Sequence, residues 1–127
     1  MFKVDENERD VEVTRGDMFP MSIDTTNEDG TPYTFRVGDN IRFKVFEKKN
    51  VQNVVINKTF TVTEETQNFD IELTSEDTKI GELINKPVAY WYEIELNPDT
   101  PYAHTIMGYD RKEGPAIFWL LPEGGDK

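Results

Sequence analysis

The chain reads as an all-β sandwich, and three observations carry that reading. Val88–Leu96 alternates strictly, with Val88, Tyr90, Tyr92, Ile94 and Leu96 on one side of a pleat and Ala89, Trp91, Glu93 and Glu95 on the other. Its aromatic and β-branched residues suit a half-buried strand, and it is long enough to be a central one. Along the rest of the chain, seven to nine short alternating segments recur at spacings of about twelve residues, separated by Gly, Pro, Asn and Asp clusters. The one helical signal is brief, a turn or two near 75–85.

Length and composition narrow the possibilities. A chain of 127 residues is expected to form one domain over 1–127, with 1–10 and 122–127 as flexible ends. That length buries enough surface to fold without a metal or a disulfide. There is no cysteine, which removes a disulfide framework, a thiolate nucleophile and any Cys-type zinc site. No apolar run is long enough to span a bilayer as a helix, and the N-terminus has no apolar signal-peptide core. Fourteen basic against 25 acidic residues give a formal charge of −11. That charge favours solubility and disfavours contact with nucleic acid or an anionic membrane.

In order, Phe2–Val4 reads as a short edge strand or a frayed end. Val11 and Val13 alternate with Glu12 and Thr14, and Phe19, Met21 and Ile23 share the next face. These two segments make either a hairpin or one strand bent at Gly16. Asp24 to Pro32 is a turn cluster. Tyr33, Phe35 and Val37 then predict a strand, followed by another with Ile41, Phe43 and Val45 inward and Arg42, Lys44 and Phe46 outward. Parity allows a three-residue Gly38–Asn40 loop between them, or a crossover to a second sheet. Val54 to Val62 and Phe69–Leu73 predict a hairpin joined through Thr63–Asn68. Ile80, Leu83 and Ile84 line up on the short helical turn, which Thr74 or Ser75 caps. Strands within Tyr102–Tyr109 and Ala116–Leu121 complete a three-strand meander with Val88–Leu96.

Few residues carry chemistry. Arg15-Gly16-Asp17 matches an adhesion tripeptide but reads better as a turn in which Gly supplies the unusual backbone angle. Asp24, Glu28 and Asp29 make an irregular calcium loop conceivable, although an EF-hand frame places Arg36 where a bidentate Glu is needed. His104 is the sole histidine, with neither a nucleophile elbow nor a ligand cluster beside it. Glu93 and Glu95 share one strand face, where solvent-facing carboxylates commonly sit. The reading is therefore non-enzymatic, with no cofactor and no metal. The outward face of Val88–Leu96 is the most informative surface. If the Ile41–Val45 strand lies beside it, Arg42 and Lys44 can pair with Glu93 and Glu95 across the sheet, leaving Trp91 and Phe46 as large aromatics outside the core. Trp91, Phe46, Arg42 and Lys44 are the candidate interface.

The strand running into Arg15-Gly16-Asp17, Gly38-Asp39 followed by Ile41 and Phe43, the helical turn, and Tyr90-x-Tyr92-x-Ile94-x-Leu96 together resemble the small β-sandwich modules of bacteriophage tails. In particular they resemble the N-terminal module of baseplate upper proteins from phages of Gram-positive bacteria. The resemblance runs from Val11 to Leu121, and Trp91 and the acidic N-terminus depart from it. It implies an immunoglobulin-like antiparallel sandwich and a phage or prophage structural module that docks between protein subunits, with no catalytic residue to carry over. The implied partners are proteins, copies of the same chain included. The implied location is the virion, or the bacterial cytoplasm during expression. The alternative from another class is a carbohydrate-binding module stacking sugars on Trp91, Tyr102 or Trp119.

Overall fold

The computed structural model describes the backbone of residues 2–4 and 9–124 and the side chains from 9 to 124. The fold is all-β, with nine strands among these residues. They are β1 (Phe2–Val4), β2 (Val11–Thr14), β3 (Phe19–Ile23), β4 (Asn40–Phe46), β5 (Val54–Thr61), β6 (Phe69–Leu73), β7 (Val88–Leu96), β8 (His104–Met107) and β9 (Ile117–Leu121). The large sheet runs β1-β2-β9-β7-β4-β5, and β3 and β6 form the small sheet. One core cluster holds inward residues of both, including Phe19 and Ile71 from the small sheet and Phe43, Tyr92 and Phe118 from the large one. The two sheets share this one core, which makes the fold a β-sandwich.

The centre of the core is aromatic. Phe43 stacks on Tyr92 with centroids 5.5 Å apart, and Phe118 meets Phe43 at 6.2 Å and Phe19 at 6.4 Å, both edge-on. Edge-on and offset contacts are the favourable geometries for rings with opposed face and edge charge. Tyr92 is buried, so its hydroxyl needs a partner, and it donates to the Arg9 carbonyl. Burial pushes its pKa upward.

β7 is the central strand with the expected bounds. β4 pairs with one edge of it from Ile41↔Leu96 to Phe46↔Trp91. Its other edge is shared, with β9 on Val88–Trp91 and β8 on Ile94–Leu96. The expected meander is therefore replaced. β8 folds back on β7, and β9 returns beside the same strand without pairing to β8 among the described residues. A period-2 pattern fixes which face of a strand is buried and leaves its neighbour open.

Other connections also differ from expectation. β2 and β3 are neither a hairpin nor one continuous strand in a single sheet. A turn closed by the Asp17 N–H on the Thr14 carbonyl (2.9 Å), with Gly16 at φ 88°, carries the chain from one sheet to the other. β5 and β6 likewise lie in different sheets, so their expected hairpin is a crossover. Tyr33–Val37 is not a strand. Phe35 is buried and bridges Thr66, but Val37 is 67% exposed. Gly38 at φ 97° turns the chain there, and Asp39 Oδ2 accepts the Arg36 N–H at 2.9 Å, which closes a loop instead of extending a strand. The predicted helical turn is a single turn. Thr74 and Asp77 exchange reciprocal side chain to backbone bonds of 2.8 and 3.2 Å, as in a capping box. The chain then leaves at Gly81, φ 61°, burying Ile80 but leaving Leu83 73% exposed.

The ends are partly outside the described residues, which exclude 1, 5–8 and 125–127. β1 pairs antiparallel with β2, as an edge strand. Glu123, within the expected flexible tail, is held by Arg15 at 2.7 Å.

Candidate interaction face

The outward residues of the large sheet form ordered rows across the strands. Thr59, Arg42, Glu95 and Thr105 make one, Asn57, Lys44 and Glu93 the next, and Phe46, Trp91 and Ile117 the third. Beyond them lies Ala89 beside Trp119. The ion pairs occupy the half of the face near the C-terminal end of β7, and the aromatics Phe46, Trp91 and Trp119 the other half, where Trp119 pairs in turn with Glu12.

The four expected interface residues come together on this face. Arg42 reaches Glu95 through Nε at 3.2 Å and Nη2 at 3.0 Å, and Asp99 through Nη1 at 3.1 Å. Lys44 Nζ lies 3.6 Å from Glu93 and 5.9 Å from the Phe46 ring centroid. Cross-strand ion pairs of this kind contribute a few tenths of a kcal/mol each, so they set register more than they hold the fold. Phe46 has outward parity yet is buried, and it is not part of the core cluster. It is covered in place by Trp91, whose ring meets it edge-on at 6.4 Å.

Trp91 is half-buried, neither enclosed nor bare. Its second neighbour is Tyr109, 6.1 Å away and 71% exposed. With Val51, 52% exposed, and Pro115, these rings border a groove of about 310 Å³. Tyr109 and Val51 were not legible as site residues. Val51 lies in a polar turn, and Tyr109 follows a strand of ambiguous parity whose bulge between Ile94 and Glu95 shifts its register.

The remaining candidates do not build a site. Arg15 turns inward, donating to the carbonyls of Ile80 (3.1 Å) and Gly81 (2.5 Å), so the Arg-Gly-Asp stretch is a folded turn and not a displayed one. Asp29 is taken by the Thr31 hydroxyl at 2.6 Å and the Thr31 N–H at 3.0 Å, bonds that lower its pKa. No group of three or more His, Asp or Glu side chains among the described residues converges as a metal site. His104 is exposed and borders a polar depression of about 470 Å³ with Tyr33, Asp39, Asn97 and Tyr102. There Asp39 is already occupied. It accepts from the Tyr33 hydroxyl at 2.7 Å, the Arg36 N–H at 2.9 Å and Asn97 Nδ2 at 3.2 Å.

This Asp39 cluster has a pH signature. Partial burial alone would raise the Asp39 pKa, but the bonds from Arg36, Tyr33 and Asn97 outweigh it and hold the carboxyl below its ordinary 3.8. A depressed folded pKa gives stability that is present above the unfolded value and lost as pH falls through the folded one. Wild type is therefore expected to lose stability below pH 3.8 more steeply than Asp39→Asn, measured by urea unfolding across an acid series. At the other extreme, burial and then the bond to Asp39 push the Tyr33 phenol up to about 12. Its contribution is complete below the ordinary 10.0 and lost as pH rises through about 12. An acid limb unchanged in the Asn variant would argue against the cluster.

No protein-family model, curated protein or solved structure matches the chain. No helix among the described residues is long and apolar enough to cross a membrane.

Proposed function

We propose that this protein is a non-enzymatic interaction module that docks another protein on the outward face of its large sheet. The observation that supports this is Trp91, held half-buried between Phe46 and the exposed Tyr109 at one end of the face. Trp and Tyr are the residue types that dominate binding energy at protein interfaces, because they bury large area at little conformational cost. A ring already fixed by a neighbour loses less freedom when a partner covers it. The ion-pair rows beside it supply a polar border. A phage or prophage structural setting is the context that the resemblance of Gly38-Asp39, Tyr90 and Tyr92 implies. The carbohydrate reading gains nothing from the placement of its aromatics. Tyr102 lies beyond the C-terminal end of β7, beside the His104 depression, while Trp91 and Trp119 lie toward the other end.

Site-specific photo-crosslinking tests the reading. A photoreactive phenylalanine at Tyr109 is expected to yield discrete protein adducts in the native host. The same group at Leu83, also exposed but remote in sequence and element, is expected to yield none. Equal adduct patterns from the two positions would overturn the proposal.

A further inference from the structure

The two turns that flank the Trp91 groove hold four cations between them, on a chain whose net charge is −11. Val51, on the groove, belongs to the turn that also holds Lys48 and Lys49; Tyr109 and Pro115 bracket the turn that holds Arg111 and Lys112. All four cations are exposed and make no ion pair among the described residues. The nearby anions are engaged. Glu47 accepts from Asn53 Nδ2, and Asp110 Oδ1 accepts the N–H groups of Lys112 (2.8 Å) and Glu113 (3.0 Å). Glu93 faces Lys44, and Glu113 lies 3.7 Å from Arg9. Both turns are closed by backbone bonds, Glu47 N–H to the Asn53 carbonyl at 3.1 Å and reciprocal bonds of 2.8 and 2.7 Å between Asp110 and Gly114. On a chain of net charge −11, the two braced turns beside this aromatic groove thus hold four exposed cations that make no ion pair among the described residues, while the groove's own lining carries the paired Lys44 and Glu93.

We infer that the groove's partner is an acidic protein segment that carries an apolar side chain, with Trp91 and Tyr109 receiving the apolar group and Lys48, Lys49, Arg111 and Lys112 the carboxylates. This rests on the docking function proposed above and names the chemistry of its partner. Charge complementarity chooses the occupant, since opposite charge across an interface steers encounter and suppresses wrong partners. A short segment suits the rim better than a nucleic acid does. The Debye length at physiological salt is about 8 Å, so the acidic remainder of the surface is screened from a local contact. A long polyphosphate strand would run off the rim onto that acidic surface.

Random dodecapeptides selected on the immobilised protein provide the test. Enriched sequences are expected to be acidic with at least one aromatic or aliphatic residue. Their affinity is expected to fall about tenfold or more in K48E/K49E/R111E/K112E, and similarly in Tyr109→Ala, and to weaken as salt rises. All substituted positions are exposed, and circular dichroism verifies folding. Neutral or basic peptides that still depend on Tyr109 would overturn the acidic partner while leaving the docking function in place. Peptides that bind independently of Tyr109, or no enrichment, would overturn the groove as the site and count against both. Binding of oligothymidylate through the same four cations, or concentration-dependent self-association abolished by Tyr109→Ala, would replace the acidic segment with another occupant.

Discussion

Phe43→Ala is expected to destabilise the protein by about 3–5 kcal/mol, the range for removing a large aromatic from a packed core. Phe43 is fully buried on the central strand pair, stacked on Tyr92 at 5.5 Å and edge-on to Phe118 at 6.2 Å. Truncation removes both ring contacts and leaves a cavity bounded by Tyr92 and Phe118. Tyr92 is poorly placed to collapse into it, because its hydroxyl is bonded to the Arg9 carbonyl on the far side. A domain of this size has about 5–15 kcal/mol of total stability, so the variant is expected to melt about 10–20 °C lower. Val37→Ala is the matched control. Val37 occupies an equally convincing apolar position in the sequence but is 67% exposed, and its truncation is expected to cost no more than about 0.5 kcal/mol. Denaturant unfolding of both variants checks the contrast. Equal effects would mean that the Tyr33–Val37 segment packs as a strand after all.

The contrast between Phe43 and Val37 also shows what the sequence could and could not disclose. β4 and β7 were legible because each carries several alternating residues and opposite charges at matching spacing. Those charges argue that the two strands are neighbours, and the antiparallel register, with Arg42 opposite Glu95 and Lys44 opposite Glu93, is what the structure adds. The candidate residues Trp91, Phe46, Arg42 and Lys44 came together for the same reason. Tyr33–Val37 has the alternation but no such second constraint, and its outcome was decided by Asp39 binding back to Arg36 and Tyr33. The long-range pairings within each sheet were hidden altogether. β3 finds β6, and β2 runs parallel to β9, across separations of about fifty and a hundred residues where local pattern carries no information. Tyr109 and Val51 were missed because they border the Trp91 groove only where two turns come to one end of a sheet, a fact of topology and not of composition.

The junction between the layers is the second place where one atom matters. Thr78 is fully buried, and its hydroxyl accepts the Gly16 N–H at 3.1 Å while donating to the Asp17 carbonyl at 2.7 Å. These are the residues at which the chain passes from β2 in the large sheet to β3 in the small one, and Gly16 holds φ 88° there. Arg15 braces the same junction from the other side through the Ile80 and Gly81 carbonyls and Glu123. The single turn at 74–80 therefore works as a clasp on the sheet switch, a use its helical signature did not announce. Thr78→Val keeps the side-chain shape and deletes these two hydrogen bonds together with the longer one to the Ser75 carbonyl at 3.2 Å. It is expected to cost about 1–3 kcal/mol, because a buried backbone group that loses its partner forfeits its desolvation without return. Thr78→Ser keeps the hydroxyl and loses only a methyl, worth about 0.8 kcal/mol. Amide exchange separates the two, since Gly16 protection is expected to drop in the Val variant and persist in the Ser variant. A Val variant with wild-type stability and a protected Gly16 amide would show that Arg15 and the β2–β9 pairing hold the junction without the clasp.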